Sequence, residues 1–389
     1  MPPPDAGVTE LHPADPVTGL PSRSELSLRT RAIVDVSALA DIGLRTVAAS
    51  MVTASMVPLA VSRKRLRAER AALDAYRELT AAADVERSFP APSTGHEVRA
   101  RRVSPVPLRG QQGRVDLLSF ESGFEAVNPD MRETYAQHTR NRIARAQHWR
   151  HTDDEGPRPT LCVIHGFTAS PYWVNSAFFS LPWFFHNGYD VLLYTLPFHG
   201  RRQSRRSPYS GHGYFAHGFA NLNEAMANAV HDFRVLVDHL LGTSASTVGV
   251  TGISLGGYTS ALLGAVEDRL KVVIPNAPVT DIPSLIHSWH PAASLLSVAL
   301  GSAKIPRAEL DEALRFSSPL TYAPKVAKEG RFIVAGLGDR LAPPEQSEWL
   351  WEHWDRCRMH WFPGNHVLHV NRVAYLREMR EVMEAVGFV

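Results

Sequence analysis

Ser254 stands between two glycines in VTGISLGGYT, straight after one apolar run and ahead of another with helical spacing. A serine hydroxyl is a poor nucleophile at neutral pH, so chemistry here needs a base in contact and a third group to orient that base. Gly252 and Gly256 supply small residues where a strand and a helix approach closely. Two readings are open: an ordinary turn, in which Gly and Ser are common, or a nucleophile elbow that presents the hydroxyl to an acyl group. The motif alone does not choose between them; its partners do.

Those partners fall at the ends of later apolar runs. VAGLGDRLAPP places Asp339 in a loop where Pro343 and Pro344 stop strand pairing. WFPGNHVLHVNR places His366 directly after a short strand, with a closing helix expected from residue 367 onward. An acid at Asp339 would orient a base at His366, and the base would take the proton of Ser254. HGFTAS begins where TLCVI ends, so the N–H of Phe167 joins that of Leu255 as the donor pair of an oxyanion hole. His165 is read as shaping that loop rather than accepting protons. Asp281, in NAPVTDIPS, is a rival acid, and His369 is read as a helix surface group.

Through HGFT at 165–168, GISLG at 252–256, GLGDRLAP at 336–343 and GNH at 364–366, the chain resembles the serine esterase and lipase branch of the α/β-hydrolase superfamily. The resemblance covers residues 157–389. It implies a mostly parallel central sheet flanked by helices, with the first strands antiparallel. It also implies an acyl-enzyme mechanism with Ser254, Asp339 and His366 in chain order and no cofactor.

The elements that must position these residues are legible as a pattern. After Pro157, the continuous apolar runs TLCVIHGF, YDVLLYTLPF, TVGVTGIS, LKVVIPNAPV and RFIVAGLG alternate with helical stretches. Such runs suit a parallel sheet buried on both faces, whose ligands bind at the carboxyl ends of the strands. A helical cap insertion is expected over residues 281–324, with Leu285 and Trp289 facing an acyl site. Upstream, residues 1–24 read as a disordered tail and 25–95 as a helical N-terminal extension and linker, before a catalytic domain over 96–389. Pro58 should kink or divide the extension. Strands are expected near 97–103 and 115–119, joined by the turn-like RGQQG, and a basic helix over 129–150.

Composition bounds the function. The 389 residues are 44% hydrophobic and 21% charged, with a formal net charge of +2, which gives no field favouring nucleic acid. The two cysteines, Cys162 and Cys357, both read as strand residues and form no disulfide framework; with no secretory signal apparent, a cytoplasmic location is expected. None of the 18 histidines has a matching carboxylate or cysteine set, so no metal is expected. RRQSRR could place Arg201 at the pocket mouth to attract an anionic substrate or lipid headgroup, or be a solvated loop. Residues 46–62 carry no charge and are followed by Arg63, Lys64, Arg65, Arg67 and Arg70. They read either as a membrane-associating helix with a basic flank or as a helix packed on the main domain or on a partner subunit.

The expected activity is hydrolysis of a carboxylic ester, small or lipid-like. The same triad would serve a thioesterase, amidase or acyltransferase. A membrane-recruited lipase anchored through residues 46–70, or a non-catalytic binding module working through its helical extension, are the rivals from other classes.

Overall fold

The structure, a computed structural model, describes residues 19–103, 113–152, 156–168 and 171–388. Most of the expected tail, residues 109–112 of the RGQQG turn and residues 169–170 of HGFTAS lie outside the described residues.

Nine strands form one sheet: β1 (Arg99–Val103), β2 (Gly113–Glu121), β3 (Ile143–His151), β4 (Arg158–Ile164), β5 (Asp190–Thr195), β6 (Ala245–Ile253), β7 (Leu270–Asn276), β8 (Phe332–Gly336) and β9 (Arg358–Phe362). Their order is β1-β2-β3-β5-β4-β6-β7-β8-β9. The first three strands, and the β3–β5 pair, are antiparallel; from β5 through β9 every pair is parallel. The parallel strands are continuous apolar runs because their two faces feed two cores. In β4, Cys162 and Ile164 enter one apolar cluster while Leu161 and Val163 enter the other; Leu192 and Tyr194 of β5 alternate in the same way with Val191 and Leu193.

Helices cover both faces. On one side lie Phe219–Thr243 and Leu255–Val266; Arg372–Ala385 supplies Tyr375, Leu376 and Met379 to the opposite cluster. Three helices, Ile282–Ser288, Ala292–Ala303 and Arg307–Leu314, follow β7 as the insertion. The N-terminal region forms two long helices, α1 (Leu28–Ala60) and α2 (Arg63–Ala82), bent by 100° at their junction. Pro58 sits in the last turn of α1 and does not break it; the chain turns only at Val61 and Ser62. Val52, Met56, Leu59, Leu66, Leu73, Tyr76 and Leu79 are buried in the same cluster as the sheet. At roughly 1.5–3 kcal/mol for each large apolar side chain, their burial is comparable to the net stability of a whole domain. The extension is therefore integral to the core.

Sequence pattern misled in three places. The basic stretch 129–150 is not one helix: short turns reach Arg142, and β3 then takes up nine residues. Ala144, Ala146 and Trp149 are buried there while Arg145 and Arg150 are only partly exposed, and pairing on both sides overrides the helical propensity of Ala, Arg and Gln. Cys357 is buried but precedes β9. The closing helix begins at Arg372, because residues 364–369 fold back through a Gly364–His369 bridge.

Candidate active site

Ser254, Asp339, His366 and the Phe167 loop all lie just beyond the carboxyl ends of parallel strands. Ser254 joins β6 to the helix Leu255–Val266 at φ 58° and ψ −116°, a region costly for a residue with a side chain. Its N–H is held by the carbonyl of Asn276 at 3.0 Å, at the end of β7. The flanking glycines are steric requirements. A Cβ on Gly252 would lie 2.5 Å from the carbonyl oxygen of Gly256, and one on Gly256 would lie 2.1 Å from that of Ile164. Thr168, Phe198 and Ala277 also adopt positive φ just beyond β4, β5 and β7, so backbone strain gathers along this edge.

Asp339 and His366 meet. Nδ1 of His366 donates to Oδ2 of Asp339 at 2.6 Å, and the two residues are 6% and 1% exposed. The other oxygen of Asp339 accepts the N–H groups of Leu341 (2.9 Å) and Ala342 (2.8 Å), so the carboxylate cannot swing away. With Nδ1 committed to the acid, Nε2 is the nitrogen left for a substrate proton. Burial alone would lower the basicity of His366, but the charge and hydrogen bond of Asp339, with the charge of Asp41, raise it above its ordinary value.

Asp281, the rival acid, is elsewhere. Its Oδ2 caps the helix Ile282–Ser288 through the N–H of Ser284, and its Oδ1 takes Arg315 at 3.2 Å. His369 is not a surface group: it packs against Phe362 (ring centroids 4.4 Å apart), accepts from the Tyr375 hydroxyl and donates to the carbonyl of His366. Burial pushes its pKa down to about 4.

Leu255 opens its helix, where the first N–H groups have no intrahelical acceptor. The loop carrying Phe167 runs against the elbow, since a Cβ on Gly166 would stand 3.5 Å from that of Ser254. His165 lies behind this loop. Its Nε2 accepts the N–H of Leu196 at 3.1 Å, so Nδ1 carries the proton and donates to the Gly166 carbonyl. Burial holds its pKa down to about 4, which keeps it neutral.

Ser254, Leu255, His366 and the Phe167 side chain line one cavity of about 370 Å³. Its wall is otherwise almost entirely apolar, with Leu285 and Trp289 from the insertion and Phe178 and Phe179 opposite. Trp289 also donates to the carbonyl of Leu341, tying the insertion to the acid loop. Arg201 is exposed on the turn Gly200–Arg202 and does not line the cavity. Its neighbour Arg202 is fully buried, bonded to Asp232 at 2.6 Å and to the carbonyls of Thr195 and Asn141, and so anchors the loop after β5. Among the described residues no group of His, Cys, Asp or Glu is arranged to hold a metal ion.

Sequence reasoning missed the contribution of α1. Leu44, Val47, Ala48, Met51 and Val52 form one wall of the cavity. Asp41, one helical turn before them, accepts the backbone N–H groups of Arg340 and His366. A buried acid amid Ala and Val was the available signal (VSALADIGL), but nothing local said what it faced.

The arrangement is that of the α/β-hydrolase fold. Two solved structures share it: acetyl xylan esterase 1 from Thermoanaerobacterium sp. JW/SL YS485, with a TM-score of 0.57 and 15% identity over 80% of this chain and 93% of that one, and an acetyl xylan esterase from Paenibacillus sp. R4, with a TM-score of 0.53 and 13% identity over 82% and 94%. At such identity the likeness concerns the fold. By sequence, the chain is similar to an uncharacterized protein of Mycobacterium tuberculosis, found in strain H37Rv and in strain CDC 1551 / Oshkosh, with 32% identity over 257 residues in each case. That match takes in 64% of this chain and spans 58% of the length of those relatives. No protein-family model matches the chain.

Proposed function

We propose that the chain is a serine hydrolase that cleaves carboxylic esters with an apolar acyl group. The observation that carries this reading is the bonded Asp339–His366 pair opening, with a strained Ser254, onto a single apolar cavity. Ser254 Oγ attacks the acyl carbon as His366 Nε2 takes its proton. The amides of Phe167 and Leu255 hold the oxyanion, and the imidazolium returns the proton to the leaving alcohol. Water then adds to the acyl-enzyme with His366 again as base, releasing the acid and restoring the serine. An apolar wall favours a hydrocarbon acyl chain. With Arg201 away from the cavity, no Lys or Arg among the described lining residues favours the phosphates of an acyl-coenzyme A thioester.

A fluorophosphonate probe tests the reading. Labelling is expected at Ser254, abolished by His366→Ala and slowed about 10³–10⁴-fold by Asp339→Asn, with Asp281→Asn unaffected. A folded protein that the probe leaves unlabelled would refute it.

A lipid surface as the source of the ester is favoured by the outer face of α1. Val57 and Val61, at its end, are 40% and 74% exposed, and Arg63, Lys64 and Arg67 follow with no partner among the described residues. No single helix among the described residues is long and apolar enough to cross a membrane. Exposed apolar residues next to a cationic cluster match an anionic bilayer surface. Flotation with vesicles containing anionic phospholipid should retain the protein, and Val57→Glu/Val61→Glu should release it; equal flotation of both proteins would remove the idea.

A further inference from the structure

We propose that Asp41 is a positioning residue of the catalytic centre, a second carboxylate that clamps the acid loop and the histidine loop together from α1. The inference rests on the hydrolase reading for its role in turnover. Its geometry does not. Oδ2 of Asp41 accepts the N–H of Arg340 at 2.8 Å and that of His366 at 3.1 Å, so one oxygen bridges the residue after Asp339 to the histidine itself. The side chain is 1% exposed, and its Oδ1 has no hydrogen-bond partner among the described residues. A buried carboxylate oxygen without a partner is costly, which marks the position as more than packing.

The same helix face reinforces the clamp. Ser37, one turn earlier, offers its carbonyl to Nδ2 of Asn365 at 2.8 Å. Oδ1 of Asn365 in turn accepts the N–H groups of Val367 and Leu368, which shapes the histidine loop. Gly338, beside the acid, is glycine because a Cβ there would lie 2.5 Å from Oγ of Ser37 and 2.6 Å from the carbonyl of Gly364. Val34 packs on Leu337 in a small apolar cluster. Residues 34, 37 and 41 thus press one stripe of α1 onto both loops.

The charge matters as well as the bonds. The acidic groups that face His366 are Asp339 and Asp41; Arg340 bonds the Asp339 carbonyl, and His369, which bonds the His366 carbonyl, is disfavoured as a cation by burial and by the charge of His366. Burial lifts the Asp41 carboxyl above its usual range, with the two N–H bonds opposing and the Asp339 charge adding. While ionised, Asp41 is a second negative charge favouring the imidazolium that forms as Ser254 loses its proton.

Asp41→Asn keeps an acceptor oxygen and removes the charge. Followed by NMR in the whole protein, the titration of His366 should move to lower pH by about one unit, the low end of what a neighbouring charge produces. The acid limb of kcat/KM should move with it, and kcat should fall about 10-fold with KM for a short ester unchanged. Asp41→Ser, with an acceptor and no charge, is the second variant should the amide fold poorly. Val34→Ala should lower stability without moving the titration. An unshifted His366 in both Asp41 variants overturns the proposal, as does an equal shift in Val34→Ala. The titration is read without turnover, so a silent enzyme whose His366 still shifts would sink the hydrolase reading and leave the clamp standing.

Discussion

Gly256→Ala replaces a hydrogen by a methyl group at the most crowded point of the elbow. The new Cβ would stand 2.1 Å from the carbonyl oxygen of Ile164 and 2.7 Å from that of His165, against 3.4 Å for ordinary contact. Relief requires a separation of about 1.3 Å, and both obstacles are backbone, so no rotamer change supplies it. The pieces forced apart are the helix that begins at Leu255 and the end of β4 that leads into Phe167. These carry the two proposed oxyanion donors, so the substitution opens the site at its centre. Misplacement by about 1 Å costs on the order of 10² in rate, and overpacking of this kind costs about 1–3 kcal/mol in stability. Fluorophosphonate labelling of Ser254 should therefore slow about 100-fold while the unfolding midpoint falls. Gly301→Ala is the control. It sits within the helix Ala292–Ala303 with nothing within 4 Å of its Cβ, and it should gain about 0.5–1 kcal/mol without changing the labelling rate. Wild-type labelling and stability in Gly256→Ala would refute the steric account of the elbow.

The raised basicity of His366 sets the direction of pH dependence. The base works only when neutral, so the acid limb of kcat/KM should lie above the ordinary imidazole value of 6.5; a limb below it, measured with a leaving group that does not titrate, would contradict the pairing with Asp339. Arg202 and Asp232 have no exposed side-chain surface, so Arg202→Leu should cost about 3–5 kcal/mol in urea unfolding by leaving a buried carboxylate without its guanidinium. The double variant Arg202→Leu/Asp232→Leu should recover part of that loss, and a single-variant cost under about 1 kcal/mol would mean the pair is not the anchor it resembles.

The order of Ser254, Asp339 and His366 and the strands that carry them were legible because they are local. An apolar run ended by Gly, Pro or Asp reports a buried parallel strand and its carboxyl end whatever else the chain does. The glycines around Ser254 could be read as close-approach positions, and the run after it could be read as a helix, which spans Leu255–Val266. β3 was not, since its Ala, Arg and Gln become strand residues only through β2 and β5 beside them.

The sequence favoured Asp339 and kept Asp281 as a rival acid; the contacts that separate them belong to tertiary structure. Both end a strand, and only the folded chain shows one carboxylate on His366 and the other capping a helix against Arg315. The place of α1 lay further beyond the sequence. Asp41 and His366 are 325 residues apart, and a hydrogen bond over that separation leaves no periodicity, turn or spacing to detect. What looked like an appended helix is a wall of the cavity and a brace on its histidine, because an apolar helix facing both loops buries its surface best where it also meets their unpaired N–H groups.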